Sequence, residues 1–298
     1  MKIGMDLGGN HVAIGVVDKK GKIIEKNEKD FKDRDILKIK KVLTKFILEN
    51  IGDFSKKYEI ELVGISAPGT PRDGKLTTLN NLGIDEYDIT KIINKYYSLP
   101  ITIKNDGNAA GLGELKYGSL KNYKDCIFLC LGTGIGGAAF IKGKEMAPIR
   151  NSGMEIGHMI IDKNGVVCTC GKKGCFETYC SIKRLKNNFI EILNLPKDIS
   201  SKKLLNIMTE RQSDEKVRVL LDDYIDNLII GLSNIIDIFE PQAICFGGSF
   251  VFFKDILFSN LEKRFYEEKY VFNKKSLPKI VLAELGNDAG IIGATCKN

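Results

Sequence analysis

The sequence predicts an α/β fold of two lobes, and three observations carry the prediction. At 298 residues, 43% of them hydrophobic, the chain is longer than one ordinary domain and apolar enough for two cores. Short β-prone apolar runs alternate with amphipathic helical stretches along its length. One strand grammar is also written twice: strand, glycine turn, strand, glycine, strand runs through residues 4–25 and restarts at 126–143. Such a repetition is the trace of a duplicated ribonuclease-H-like lobe. The expected division is residues 1–117 with 286–298 as a smaller N-terminal lobe, and residues 118–285 as a larger C-terminal lobe with a metal-binding loop at 155–178.

In chain order, residues 1–7 and 12–17 are β-prone runs joined by Gly8, Gly9, Asn10 and His11, and Gly21 opens a third strand at 22–25. Asp6 ends the first strand. The glycines after it have no side chain to keep an anion from their backbone N–H groups, although a plain turn has the same look. Residues 35–54 place Ile36, Ile39, Leu43, Phe46 and Ile47 on one helical face with lysines opposite, so this helix packs on the sheet. Residues 61–67 read as a buried strand stopped by Pro68 and Gly69. Residues 100–104 form a strand leading into Asn105, Asp106 and a small-residue helix through Leu112, Glu114 and Leu115. A carboxylate at the end of a strand and the start of a helix is where open α/β sheets place chemistry, and it is equally an ordinary helix cap. Position alone leaves both readings open.

In the second half, residues 126–131 are an apolar strand, 132–137 a glycine turn holding Thr133 and Gly134, and 138–141 a returning strand. Two glycine turns in equivalent places point to two phosphate loops, with a nucleotide held in the cleft between the copies. Residues 180–193 and 200–209 read as polar surface helices, and 217–239 as a long apolar helix ended by Glu240 and Pro241. A buried strand at 243–246 runs into Gly247 and Gly248. Helix 253–266, strand 279–284 and a small-residue helix after Asp288 complete the chain.

Between these elements lies the densest chemistry of the sequence. Residues 151–181 hold His158, one of the chain's two histidines, with Cys168, Cys170, Cys175 and the flanking carboxylates Glu155 and Glu177. One nitrogen and three sulfur donors match a tetrahedral structural zinc with no open coordination position. The loop carries Asp162, Lys163, Asn164, Gly165, Lys172, Lys173 and Gly174, too polar to pack by itself, so an ion would fix its shape. A redox cluster or a chance grouping of reduced cysteines is the alternative. The other five cysteines, Cys126, Cys130, Cys180, Cys245 and Cys296, lie in apolar runs and read as small core residues.

The net charge of +7 is spread over lysines interleaved with acids, which argues for a solvated surface and against nucleic-acid binding. No run approaches 18 apolar residues and the first thirty carry charges throughout, so neither a membrane span nor a signal peptide is expected, and the protein is expected in the cytoplasm.

The run Gly-x-Glu-x-Gly-His followed by Cys-x-Cys-Gly-x-x-Gly-Cys-x-Glu resembles the signature of the ROK family of sugar kinases and sugar-responsive repressors. The resemblance extends to the Asp-x-Gly-Gly phosphate loop near the N-terminus, where Asn10 and His11 replace the family's usual Thr and Lys. It covers the Asn-Asp-x-Asn-Ala-Ala segment at 105–110 and the closing helix after Asp288. Residues 79–84 are similar to the family's sugar segment, with Asn81 as its asparagine and without its tryptophan.

The resemblance implies an actin-like ATPase fold and transfer of the ATP γ-phosphoryl group to the C6 hydroxyl of a hexose. Glucose leads, N-acetylmannosamine or another N-acylhexosamine is the alternative, and a non-catalytic sugar sensor stands behind them. A repressor would carry an added N-terminal DNA-binding module, for which the five residues before Asp6 leave no room. Asp106 is implied as general base; Gly69, Asn81, Asn105, Asp106, Glu155, His158 and Glu177 as sugar-binding; and Asp6 as magnesium-holding. Gly8, Gly9, Asn10, Thr133 and Gly134 would hold phosphates, Gly247 and Gly248 would lie on the adenosine side, and a homodimer is expected.

Overall fold

A computed structural model of the chain describes residues 1–8, 11–31, 35–69, 71, 74–79, 84–146, 154–272 and 276–297. Two compact units are present. The first comprises Met1–Lys124, Ala138–Met154 and Glu284–Asn298, and the second Asp125–Gly137 and Glu155–Ala283.

The first unit is built on strands β1 (Lys2–Leu7), β2 (His11–Val17), β3 (Ile23–Asp30), β4 (Leu62–Ala67) and a hairpin of β5 (Leu76–Leu79) and β6 (Ile84–Tyr87), with β7 (Ile101–Asn105) after it. Its helices are α1 (Ile36–Lys57), α2 (Ile89–Asn94) and α3 (Asp106–Tyr117). The main sheet runs β3-β2-β1-β4-β7, antiparallel from β3 to β1 and parallel from β1 to β7. β3 is longer than its sequence suggested, because its outer half is polar and exposed and lacks the apolar alternation that marks a strand.

From β8 (Cys126–Leu131), β9 (Ile135–Ile141) and the short β10 (Lys144–Glu145) the chain passes to helices α4 (Glu177–Cys180), α5 (Ile182–Ile192), α6 (Ser201–Glu210) and α7 (Glu215–Phe239). β11 (Ala243–Gly247), α8 (Lys254–Glu267), β12 (Lys279–Leu282) and α9 (Ala289–Ala294) follow. The second sheet runs β10-β9-β8-β11-β12. In both sheets the order is third, second, first, fourth, fifth strand of the set, so the repeated grammar is a repeated topology. Gly21 and Gly143 close equivalent turns at φ 78° and 74°, the left-handed region where a side chain is strained. The helix expected at 180–193 is two: Ser181 ends α4 and caps α5, its hydroxyl accepting from Arg184 N. Cys130 is half-exposed, unlike the four buried cysteines grouped with it. No helix among the described residues is long and apolar enough to cross a membrane.

The two faces of the first sheet are packed differently. Asp35 caps α1 by accepting from Leu37 N and Lys38 N. Ile39, Leu43, Ile47, Ile51 and Phe54 then project from one side of α1 into a core shared with Ile3, Met5 and Leu7 of β1 and Val63 and Ile65 of β4. Side chains alternate along a strand, so Gly4 and Gly64 face the other way. There a side chain would overlap backbone oxygens of Ile291 and Ala294 in α9. α9 and α3 also meet through glycines: a Cβ on Gly113 would lie 2.7 Å from Ala289 O, and one on Gly293 would overlap Ala109 O.

Glu114 of α3 is fully buried. Its two oxygens accept from Ser119 N at 2.9 Å and Leu285 N at 2.8 Å, which supplies hydrogen-bond partners to a polar group that would otherwise be costly to bury. The α3–α9 contact makes a firm prediction: Gly293→Ala should lower stability by about 1–3 kcal/mol, read as a lower urea midpoint at unchanged slope.

Candidate functional site

In the first unit, β1, β4 and β7 run parallel with Asp6 opposite Ser66, Ser66 opposite Lys104 and Ala67 opposite Asn105. Their C-terminal ends therefore gather Asp6, Ser66 and Asn105, and Asp106 opens α3 immediately after. The Ser66 hydroxyl donates to Asp6 Oδ1 at 2.5 Å. Burial pushes Asp6 up to about 6; the Ser66 bond opposes that, the Asp106 charge adds to it and His11 opposes it. The Asp106 carboxyl remains open to solvent, but the protein packed around it raises its pKa, against a bond from Gly107 N to its Oδ1 at 2.8 Å. Two carboxylates, each made reluctant to ionise by its surroundings and one sensing the other, form a site suited to proton acceptance and to oxygen-seeking cations.

Asn105 is more committed than its sequence position suggests. Its Oδ1 caps α3, accepting from Gly107 N at 2.9 Å and Asn108 N at 3.4 Å, while Nδ2 donates to Gly69 O at 3.1 Å. Gly69 sits at φ 86° and ties the loop after β4 to the start of α3. Gly8 N donates to His11 O at 2.8 Å, closing the first glycine turn, and His11 Nδ1 lies 2.9 Å from Asp30 Oδ1. Gly9, Asn10 and Asn81 lie outside the described residues.

In the second unit, one potential donor atom from each of His158, Cys168, Cys170 and Cys175 lies within 4.8 Å of the others. His158 Nδ1 is 3.6 Å from Cys168 Sγ, and Cys170 Sγ is 3.6 Å from Cys175 Sγ. Ligands about 2.0–2.3 Å from a tetrahedral zinc are about 3.5–3.8 Å apart, so the donor set fits such an ion. Burial pushes the Cys175 thiol up to about 12, the penalty that an ion in the cluster would relieve. The loop reaches this shape through backbone bonds, among them Cys168 N to Lys172 O at 2.7 Å and Phe176 N to Met159 O at 2.7 Å, with Gly171 and Gly174 at φ 88° and 72°.

The carboxylates beside the cluster differ. Glu155 is exposed, its Oε2 3.8 Å from His158 Nε2. Glu177 turns inward: Oε1 is 3.2 Å from Cys168 Sγ and 3.7 Å from His158 Nδ1. Its Oε2 lies against the glycine turn, where a Cβ on Gly134 would come within 2.6 Å of it. Thr133 is exposed on that turn. Gly247 pairs with Cys130 near the end of β8, and on Gly248, at φ 69°, a Cβ would lie 2.8 Å from Leu131 O. Sequence reasoning missed Ser66, and the available signal was a single hydroxyl at the end of an otherwise apolar strand pattern.

A raised carboxyl pKa has a definite sign in stability. Between the unfolded value near 3.8 and the folded value of about 6, the native protein binds more protons than the unfolded chain, so Asp6 subtracts stability as pH rises through that window. At pH 7 the loss is at most about 3 kcal/mol. Asp6→Asn should melt higher than the natural protein at pH 7 without ligands and lose the advantage near pH 4, measured by calorimetry across pH.

Comparison with known proteins places this geometry. The chain is 28% identical over 308 residues to the glucokinase of Thermotoga maritima, covering 98% of this chain and 95% of that one. It is 28% identical over 251 residues to the xylose repressor of Bacillus subtilis, covering 84% of this chain and 64% of the repressor. The crystal structure of a ROK family glucokinase from Streptomyces griseus, in complex with glucose and AMPPNP, is similar at TM-score 0.77 and 26% identity, over 98% of this chain and 97% of that one. The fold is thus the actin-like one that the twice-used strand order predicts. A family description matches residues 2–296, and the chain belongs to the ROK family.

Proposed function

We propose that this protein is an ATP-dependent hexose kinase that phosphorylates the C6 hydroxyl, with glucose as its substrate and N-acetylmannosamine or another N-acylhexosamine as the competing assignment. The observation that carries the reading is Asp106: a solvent-accessible carboxyl with a raised pKa, opening a helix beside Asp6, in a family that includes glucokinases.

In this reading an Asp106 oxygen accepts the C6 hydroxyl proton as the sugar oxygen bonds to the γ-phosphorus. The bond from that phosphorus to the β–γ bridging oxygen breaks, and ADP leaves. A raised pKa makes Asp106 the better proton acceptor, and positioning supplies most of the remaining acceleration. Asp6 would hold magnesium, to which a carboxylate oxygen is suited; when bound, that ion would neutralise charge on the phosphates. Backbone amides of Gly8, Gly9, Thr133 and Gly134, with the Asn10 side chain, would hold phosphate oxygens, and Gly247 and Gly248 would flank the adenosine.

Gly69, Asn81, Asn105, Glu155, His158 and Glu177 would surround the sugar. His158 can serve two partners, because Nδ1 faces the thiols while Nε2 faces Glu155. His158, Cys168, Cys170 and Cys175 would hold a structural zinc that stiffens the 155–178 loop.

ADP release measured with glucose, N-acetylmannosamine, N-acetylglucosamine, fructose and allose in turn tests the proposal. Turnover with one of them is expected, and ATP left untouched by all would refute it in favour of a sugar sensor of the repressor branch. Asp106→Asn should reduce kcat by about 10²–10⁴ with sugar affinity kept within a few-fold; near-normal turnover would remove Asp106 as base. Elemental analysis should find one zinc per chain. Cys175→Ser should lose that zinc, melt at a lower temperature and bind sugar more weakly, whereas metal-free protein with unchanged sugar affinity would break the proposed link between metal and sugar.

A further inference from the structure

β4 is apolar and buried along its length except for one hydroxyl. Its sequence is Leu-Val-Gly-Ile-Ser-Ala, and Ser66 is as fully buried as the rest. Glycine or alanine would suit such a strand without a polar atom to satisfy, and burying a hydroxyl costs free energy unless it is hydrogen-bonded. The Ser66 hydroxyl has a single proton to give, and it gives it to Asp6 Oδ1. Parallel register sets Ser66 opposite Asp6, and alternation along the strands turns both side chains to the α9 face that Gly4 and Gly64 share. From that face Gly290 closes on the same carboxyl: a Cβ there would lie 2.7 Å from Cγ and from Oδ1, and 3.1 Å from Oδ2. The carboxyl is thus held between a hydroxyl and a glycine backbone. Asp6 stays partly exposed, and among the described residues no hydrogen bond reaches its Oδ2.

We propose that Ser66 is a positioning residue for metal binding: by occupying Oδ1 it fixes the rotation of the Asp6 carboxyl and leaves Oδ2 to a magnesium ion or a water of its shell. The inference rests on the kinase reading above, in which Asp6 holds the magnesium of MgATP. A carboxylate free to turn about its Cβ–Cγ bond has to be ordered when the ion arrives. One already ordered by a neighbour does not, and the saving appears as affinity. Ser66 touches no substrate in this scheme. Its effect passes through Asp6, so it should vanish once Asp6 can no longer hold the ion.

Calorimetric Kd values for magnesium-AMPPNP, for AMPPNP in EDTA and for glucose test this on Ser66→Ala, Asp6→Asn and the double variant, each first shown to melt cooperatively. Ser66→Ala should raise the magnesium-AMPPNP Kd about tenfold, and leave the metal-free AMPPNP and glucose values within about threefold of the natural protein. On the Asp6→Asn background the same substitution should change the magnesium-AMPPNP Kd by less than about twofold.

Should Ser66→Ala not fold, Ser66→Cys, which fills the site but is only a weak donor, carries the comparison. An unchanged magnesium-AMPPNP Kd overturns the proposal. So does an equal rise in all three arms, the mark of a merely structural role, or an undiminished effect on the Asp6→Asn background. Natural protein that binds AMPPNP no more tightly with magnesium than without it removes Asp6 as the magnesium holder and this inference with it, while sugar-dependent turnover would leave the kinase reading standing. Natural protein that binds neither nucleotide nor glucose overturns both.

Discussion

The first unit depends on how closely backbone can approach backbone. α9 lies on β1 and β4, and α3 lies on α9, at distances that only glycine permits. Gly4, Gly64, Gly113 and Gly293 are where side chains would force these layers apart. The same strands carry ordinary large residues on their other face against α1. One face of the sheet is thus packed by volume and the other by its absence. The second arrangement holds α3 tightly enough to the strand ends that its first residue, Asp106, stands within electrostatic reach of Asp6. Gly290 extends the constraint, since a Cβ there would come within 2.7 Å of the Asp6 carboxyl.

The two units order their polar groups by different means. In the first, regular structure does the work: parallel register puts Asp6 beside Ser66, and a helix cap fixes Asn105. In the second, the 155–178 segment has little regular structure, and its shape comes from turns, backbone bonds and a cluster of sulfur and nitrogen donors. Both arrangements concentrate groups whose surroundings resist their ionisation, Asp6 and Asp106 in the first and Cys175 in the second. Glu177 lies between the two features of this unit, one oxygen near the Cys168 thiol and the other close to the glycine turn at Gly134.

Much of this was legible in the residues. The repeated strand grammar gave the topology because glycine turns and apolar strands are local signals, and the clustering of His158, Cys168, Cys170 and Cys175 could be foreseen because these residue types have few other reasons to gather in one polar loop. What stayed hidden depended on partners distant in sequence. Ser66 matters through a strand sixty positions away, and nothing beside it says that Asp6 will be its neighbour. The exposed half of β3 has no apolar alternation to announce it. Asn105 looked free to meet a ligand because a cap and a loop carbonyl are consequences of folding.

Glu114 gives the architecture a mechanical consequence. One carboxylate holds the amide of Ser119, just past the end of α3, and that of Leu285, where the chain comes back after its long excursion. The two segments are thereby riveted to a single helix, whose opposite end, about 12 Å away at 1.5 Å per residue, is Asp106. Both attachments run to backbone amides, so the joining of these two segments to α3 depends on the glutamate and on the paths of the two main chains, with no second side chain needed.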